Sequence, residues 1–319
     1  MTLLVMHAGP LSTVQDLGRT GFGAIGVAPS GAMDPWALRT ANVLVGNDDG
    51  AAGIEFTMSG PTIAFEDDAV VALTGSRFDV SVLRSVSGSA FERDVDAAPA
   101  PHQASFRLRA GETLRIETTL SGARGYLAVG GGIEVDEVFG SRSTQVVAGL
   151  GGHVLKQGDR LATGRAADVP RRRARATSAY RSEQLLRAVP GPQREIFAAG
   201  SAERFFSSPY RVTTRSDRIG IRLEGPPIEL TARPDIDPEG LVVGALQVPA
   251  DGQPILLCND RPATGGYAKV ATVIGADMHL AAHAKPGDTV RFARTTPEAG
   301  RAAWRELEDS WRTMIEDVY

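Results

Sequence analysis

Cysteine is almost absent from this chain of 319 residues: Cys258, inside the apolar run Ile-Leu-Leu-Cys, is the only one. A single cysteine excludes an internal disulfide framework and any zinc site built from several thiolates. Its apolar neighbours mark it as a small core residue. Lysine is nearly as scarce, with three (Lys156, Lys269 and Lys285) against 31 arginines, a bias that GC-rich coding produces. None of the three sits between two methionines, so no covalent biotin is expected on this chain. Net charge is −4 and aromatics make up 6% of residues, with no basic surface interleaved by aromatics, which argues against a nucleic-acid partner. No apolar run reaches the ~18 residues of a membrane span, and no charged segment with an apolar leader opens the chain. These absences predict a soluble, cytoplasmic protein without a membrane partner.

What is present is enough apolar sequence, 42%, to bury two cores. A degenerate internal repeat organises it. Ser12-Thr13-Val14-Gln15-Asp16 resembles Thr213-Thr214-Arg215-Ser216-Asp217; the run Ile54 to Ile63 resembles Leu246 to Ile255; Arg109-Ala110-Gly111-Glu112-Thr113-Leu114-Arg115-Ile116 resembles Lys285-Pro286-Gly287-Asp288-Thr289-Val290-Arg291-Phe292. The matches keep their order, as a duplication requires. Each copy alternates apolar and polar residues over short runs, as in Thr113-Leu114-Arg115-Ile116-Glu117, and breaks them with Gly, Pro and Asp turns. The expected fold is mainly β, two related β-barrel domains rather than βαβ units. The boundaries expected are 1–165 for the first domain, with 121–163 an insertion lacking a counterpart, 166–184 for an Arg-rich, flexible linker, 185–295 for the second domain and 296–319 for a C-terminal helix. Asp34-Pro35 reads as the N-cap and first residue of a helix, and Thr296-Pro297 as another. Trp304, Leu307, Trp311, Met314, Ile315 and Val318 form one apolar helix face.

Several chemistries are missing. Gly130-Gly131-Gly132 and Gly149 to Gly152 do not continue into a phosphate-binding loop or open a dinucleotide-binding helix. His279 and His283 have a metal-compatible spacing but no nearby carboxylate, and no metal is expected. No nucleophile elbow occurs. The candidate site is instead the stretch Glu239 to Lys269. Asp251-Gly252 needs only to turn, but a turn does not need Asn259, Asp260, Arg261, Tyr267 and Lys269 within eleven residues. Ionisable groups beside buried strands are costly to desolvate, so such clusters are site candidates. Asp217, Glu239 or Asp260 can act as a base or orient an amide; Lys269 and Arg218 can hold a phosphate or an oxyanion; Tyr267 can donate a hydrogen bond. Gln193, in Pro190-Gly191-Pro192-Gln193, and Gln247 complete the set.

The motifs Gly9 to Gly21 (GPLSTVQDLGRTG), Ser30 to Pro35 (SGAMDP), Ala188 to Gln193 (AVPGPQ), Ser216 to Gly225 (SDRIGIRLEG), Glu239 to Ile255 and Thr264 to Ile274 (TGGYAKVATVI) resemble one family from about residue 5 to 295. It is the allophanate-hydrolase-subunit-2 family, also described as the C-type subunit of 5-oxoprolinase and as the A half of a biotin-dependent carboxyltransferase domain. The resemblance implies a cyclophilin-like β-barrel fold and an obligate B-type (subunit 1) partner. In the 5-oxoprolinase version a third, A-type subunit joins them, and the hetero-oligomer is a hydrolase that opens the lactam of 5-oxoproline to L-glutamate using ATP with Mg. In the urea carboxylase version the pair passes a carboxyl group to urea. A third relative is a regulatory binding protein that counters a kinase inhibitor. The site that the resemblance carries over is Asp260, Tyr267, Lys269, Asp217 and Glu239 as catalytic residues, with Gln193, Arg218, Gln247, Gly265 and Gly266 binding substrate. Pro262-Ala263 stands where many members have a polar Gln-Thr pair, which removes positions 262 and 263 from that set.

Overall fold

The computed structural model describes residues 1–85, 95–175, 180–231 and 235–318. Residues 176–179 of the expected linker and residue 319 of the expected helix lie outside them. The fold is mainly β and divides into two units, Met1–Arg19 with Ser30–Ala179 and Trp311–Tyr319, and Thr20–Pro29 with Tyr180–Ser310.

The first unit is a ten-stranded sheet. Along its main path lie Ser12–Gln15, Gly53–Thr57, Thr113–Val129, Thr62–Phe65, Thr2–His7, Arg160–Thr163 and Ile133–Glu134. The long strand Ala69–Ser85 branches from it, pairing with Thr113–Val129, Val95–Pro99 and Ser105–Leu108. Register shifts between Gly75 and Val80 bend these two strands, and Gly75 supplies a φ of 83° where they begin. The alternation read in Thr113 to Glu117 appears as Leu114 and Ile116 buried between half-buried Thr113 and Arg115 and exposed Glu117. They join Leu3, Phe56, Phe65 and Val129 in the core. The helix Pro35–Leu44 starts as expected, with an Asp34 carboxylate oxygen accepting from the Trp36 and Ala37 amides at 3.0 Å each.

The second unit holds a closed barrel of seven strands, in the order Glu183–Pro190, Lys269–Val273, Ala245–Gln247, Ile255–Leu257, Gly220–Glu224, Tyr210–Val212 and Thr289–Arg294. The ring closes where Glu183–Pro190 runs parallel to Thr289–Arg294. The short helix Ser201–Ser207 inserts Phe205, stacked on Phe292 at 4.6 Å between ring centroids. A separate two-stranded antiparallel sheet, Asp235–Gly240 with Thr264–Tyr267, lies outside the ring.

Two repeat matches perform the same local job in both units. The carboxylates of Asp16 and Asp217 each accept from the amide two residues on, Gly18 at 2.7 Å and Ile219 at 2.8 Å. Glu112 accepts from the Arg109 amide at 2.9 Å and Asp288 from the Lys285 amide at 2.8 Å, with Gly111 and Gly287 at φ 85° and 95° between them.

Two sequence expectations change. Part of the Arg-rich linker is a strand, Arg172–Ala174, paired antiparallel with Ile315–Asp317. Arg172 is fixed there by the Val43 carbonyl at 2.8 Å and Asp317 at 3.0 Å, so this stretch is ordered rather than flexible. The terminal helix spans Pro297–Ser310 and then gives way to a 3-10 turn, Trp311–Met314, and the strand Ile315–Asp317. Sheet pairing outweighs helical period there, helped by the β-branched Thr313 and Ile315. The apolar face thus divides: Trp304 lies over Gly275 in the second unit, whereas Trp311 is fully buried 6.1 Å from Trp36 in the first.

Candidate functional site

The predicted site residues do not share one mouth of the barrel. Gln247 pairs with both Ile255 and Lys269, and Pro190 with Ala271, which puts Gln247, Lys269 and the turn carrying Gln193 at one end. Gly220 pairs with Leu257, so Arg218 before the one strand and Asp260 after the other sit at the opposite end. Antiparallel register makes this inevitable, since residues flanking a strand emerge on opposite sides of the ring.

At the second of these ends Arg218 and Asp260 form a two-pronged ion pair, Nε to Oδ2 at 3.0 Å and Nη2 to Oδ1 at 3.1 Å, with both residues 4% exposed. The Asp260 amide donates to the Arg218 carbonyl at 2.9 Å, so backbone and side chains tie the same two loops together. Such a pair acts as a clasp, with both Asp260 carboxylate oxygens engaged. Asp217 beside it is exposed, and its Oδ1 accepts from the Ile219 and Gly220 amides as in a tight turn. Arg261 bonds the Leu241 carbonyl through Nε at 3.2 Å and Nη2 at 3.0 Å, and burial pushes its pKa down.

At the first end four predicted residues meet. Lys269 opens its strand and is 7% exposed, with its ammonium against Glu239 Oε1. Gln193 Nε2 donates to that same Glu239 oxygen at 2.9 Å, and Gln193 Oε1 accepts from the Lys269 amide at 3.1 Å. Gln247 Nε2 reaches the Tyr267 carbonyl at 3.4 Å. Burial pushes the Lys269 pKa down, and the adjacent Glu239 carboxylate opposes that by favouring the ammonium. Glu239 reaches this point because its Cα pairs with Gly265 in the outer two-stranded sheet. A Cβ on Gly265 would lie 2.7 Å from Leu241 Cδ1 and 2.9 Å from Gln247 Nε2, so glycine lets the outer sheet settle against the barrel. Gly266 likewise passes close to the Ile236 carbonyl. The Tyr267 side chain is 41% exposed and joins none of these bonds.

Sequence reasoning missed Gly191 as a site residue. Its backbone passes so close to the Lys269 carbonyl that any Cβ would overlap it, and this contact sets Gln193 beside Lys269. The Pro-Gly-Pro-Gln motif carried the signal, but only the fold shows what the glycine approaches. Among the described residues no group of three or more His, Cys, Asp or Glu side chains converges as a metal site. No helix among them is long and apolar enough to cross a membrane.

A mainly β chain with a closed barrel and this polar end belongs to the carboxyltransferase domain, subdomain A and B, family, whose model matches residues 25–294. The resemblance seen in the motifs is thereby borne out. Among particular relatives, the chain is 36% identical over 314 residues to the C-type subunit of 5-oxoprolinase from Escherichia coli, covering 96% of this chain and 95% of that protein. It is 32% identical to urea amidolyase of Lachancea kluyveri, covering 98% of this chain but only 18% of that longer protein. Its structure is similar to that of the Kluyveromyces lactis urea amidolyase, with a TM-score of 0.88 at 27% identity over 99% of this chain and 20% of that one.

Proposed function

We propose that this chain is the C-type subunit of an ATP-dependent 5-oxoprolinase, acting with a B-type partner and a third, A-type subunit to open the lactam of 5-oxoproline to L-glutamate. The observation that carries the reading is its 36% identity across nearly the whole of a C-type 5-oxoprolinase subunit. The barrel end supports it. A lactam is resonance-stabilised, and this substrate carries a carboxylate as its handle. Lys269 and Gln193 present an ammonium and an amide N–H toward one point, a donor set suited to a carboxylate oxygen. Gln247 stands beside them, and its side-chain amide suits the lactam N–H and carbonyl. ATP, when bound by the complex, supplies the phosphoryl group that activates the lactam oxygen. The part assigned to this chain is to bind and orient the lactam, while partner residues complete the site.

The test is to purify the chain with the partners encoded beside it and to measure ADP release that depends on 5-oxoproline. Release only from the full combination is expected; none from any combination would end this reading. A second reading, carboxyl transfer to urea or a related amide, is favoured by the structural similarity to urea amidolyase. Consumption of carboxybiotin by the chain and its B-type partner, with urea as acceptor, would select it.

A further inference from the structure

We propose that Lys269 Nζ and Gln193 Nε2 form a cradle for a ligand oxyanion, and that Glu239 is the built-in occupant which the ligand displaces. The first support is convergence: a buried ammonium is ion-paired with, and an amide N–H donates to, the same carboxylate oxygen, Glu239 Oε1. Two donors on one acceptor oxygen reproduce the arrangement that a bound carboxylate or phosphate would meet. The second support is the unequal hold on the two sides. Lys269 and Gln193 are held on the barrel: Lys269 by pairing with Gln247, next to a register shift between Leu246 and Gln247, and Gln193 by its bond to the Lys269 amide. Glu239 belongs to the two-stranded sheet outside the ring, which has three registered pairs and a register shift between Asp235 and Glu239. Its strand has one paired neighbour where the barrel strand of Lys269 has two, and the Glu239 side chain is already 42% exposed. The donors therefore stay in place when the acceptor leaves.

The inference changes the part expected of Glu239, from a catalytic carboxylate to a stand-in for the substrate's own. It rests on the proposed 5-oxoprolinase activity only for which carboxylate arrives. The shared chemistry is a small oxyanion, and phosphate is the other source of it.

Calorimetry on the full chain tests it with 5-oxoproline, inorganic phosphate and the neutral lactam 2-pyrrolidinone. Glu239→Ala is expected to bind 5-oxoproline about tenfold or more tightly than the wild type. Adding Lys269→Met should remove the gain, and 2-pyrrolidinone should bind equally to all three proteins. A parallel gain for phosphate identifies a general oxyanion cradle; a gain for 5-oxoproline alone identifies a carboxylate cradle. Unchanged or weaker 5-oxoproline binding by Glu239→Ala overturns the proposal, and Glu239→Gln, which removes the charge with little change of shape, repeats the test if the alanine variant folds poorly. The two readings fail separately. A tenfold gain without ADP release by the complex leaves the cradle and removes the lactamase, whereas ADP release without any gain does the reverse.

Discussion

At the scale of single residues, two ion pairs that look alike in sequence do different work. Arg218–Asp260 is buried on both sides, with 4% and 3% of the side chains exposed, whereas Lys269–Glu239 is buried on one side only, at 9% and 42%. Removing one partner of a buried pair leaves an uncompensated charge and costs ~3–5 kcal/mol. Asp260→Ala should therefore lower the midpoint of urea unfolding strongly, and replacing Arg218 and Asp260 together by apolar residues should recover much of the loss. An Asp260→Ala protein as stable as the wild type would contradict the clasp. Asp260 stands out in the sequence because it is charged and flanked by apolar strand; that pattern marks desolvation and does not separate a clasp from a reactive group.

At the scale of elements, the repeat was legible because a tight turn is specified by neighbours. Arg109 to Glu112 and Lys285 to Asp288 each need a glycine in the left-handed region and an acid three residues after a free amide, and both signs are local. The division of the site between barrel ends was not legible, because it depends on the pairing of Gly220 with Leu257 and of Gln247 with Lys269, residues far apart in sequence. The terminal helix was half legible: its cap at Thr296 holds the Ala299 amide at 3.3 Å, but its end is set by pairing with Arg172–Ala174. The first of the two turns also responds to pH. Burial alone would raise the Glu112 pKa, but the Arg109 amide and the Arg84 guanidinium, 2.6 Å away, bring it below the usual 4.5. The unfolded chain then binds the proton more readily than the folded one, so this carboxylate stabilises the fold above its unfolded pKa and loses that effect as pH falls through its folded pKa. Glu112→Gln should lower stability at neutral pH and flatten its decline in acid, measured as melting temperature against pH from 7 down to about 3. An unchanged acid limb would show that the turn does not couple to pH.

At the scale of the whole molecule, the first unit is discontinuous. Its core takes in Trp311, fully buried against Trp36, with the Arg39 guanidinium 5.0 Å from the Trp36 ring and 5.6 Å from that of Trp311. Truncating a buried tryptophan costs ~3–5 kcal/mol. Trp311→Ala should reduce hydrogen-exchange protection of the helix Pro35–Leu44 while leaving the barrel strands Glu183–Pro190 and Lys269–Val273 protected. Equal loss in both units would show that the segment supports the whole chain rather than the first unit.

That discontinuity also fixes an order of assembly during synthesis. The strand Arg172–Ala174 is made long before its partner Ile315–Asp317, with all of Tyr180–Ser310 translated in between. At ~5–20 residues per second the wait is roughly 7–26 s, ample for a barrel of short strands to close. The half that begins first is therefore finished last, and until then the surface around Trp36 and the edge of Arg172–Ala174 stand open to whatever the nascent chain meets.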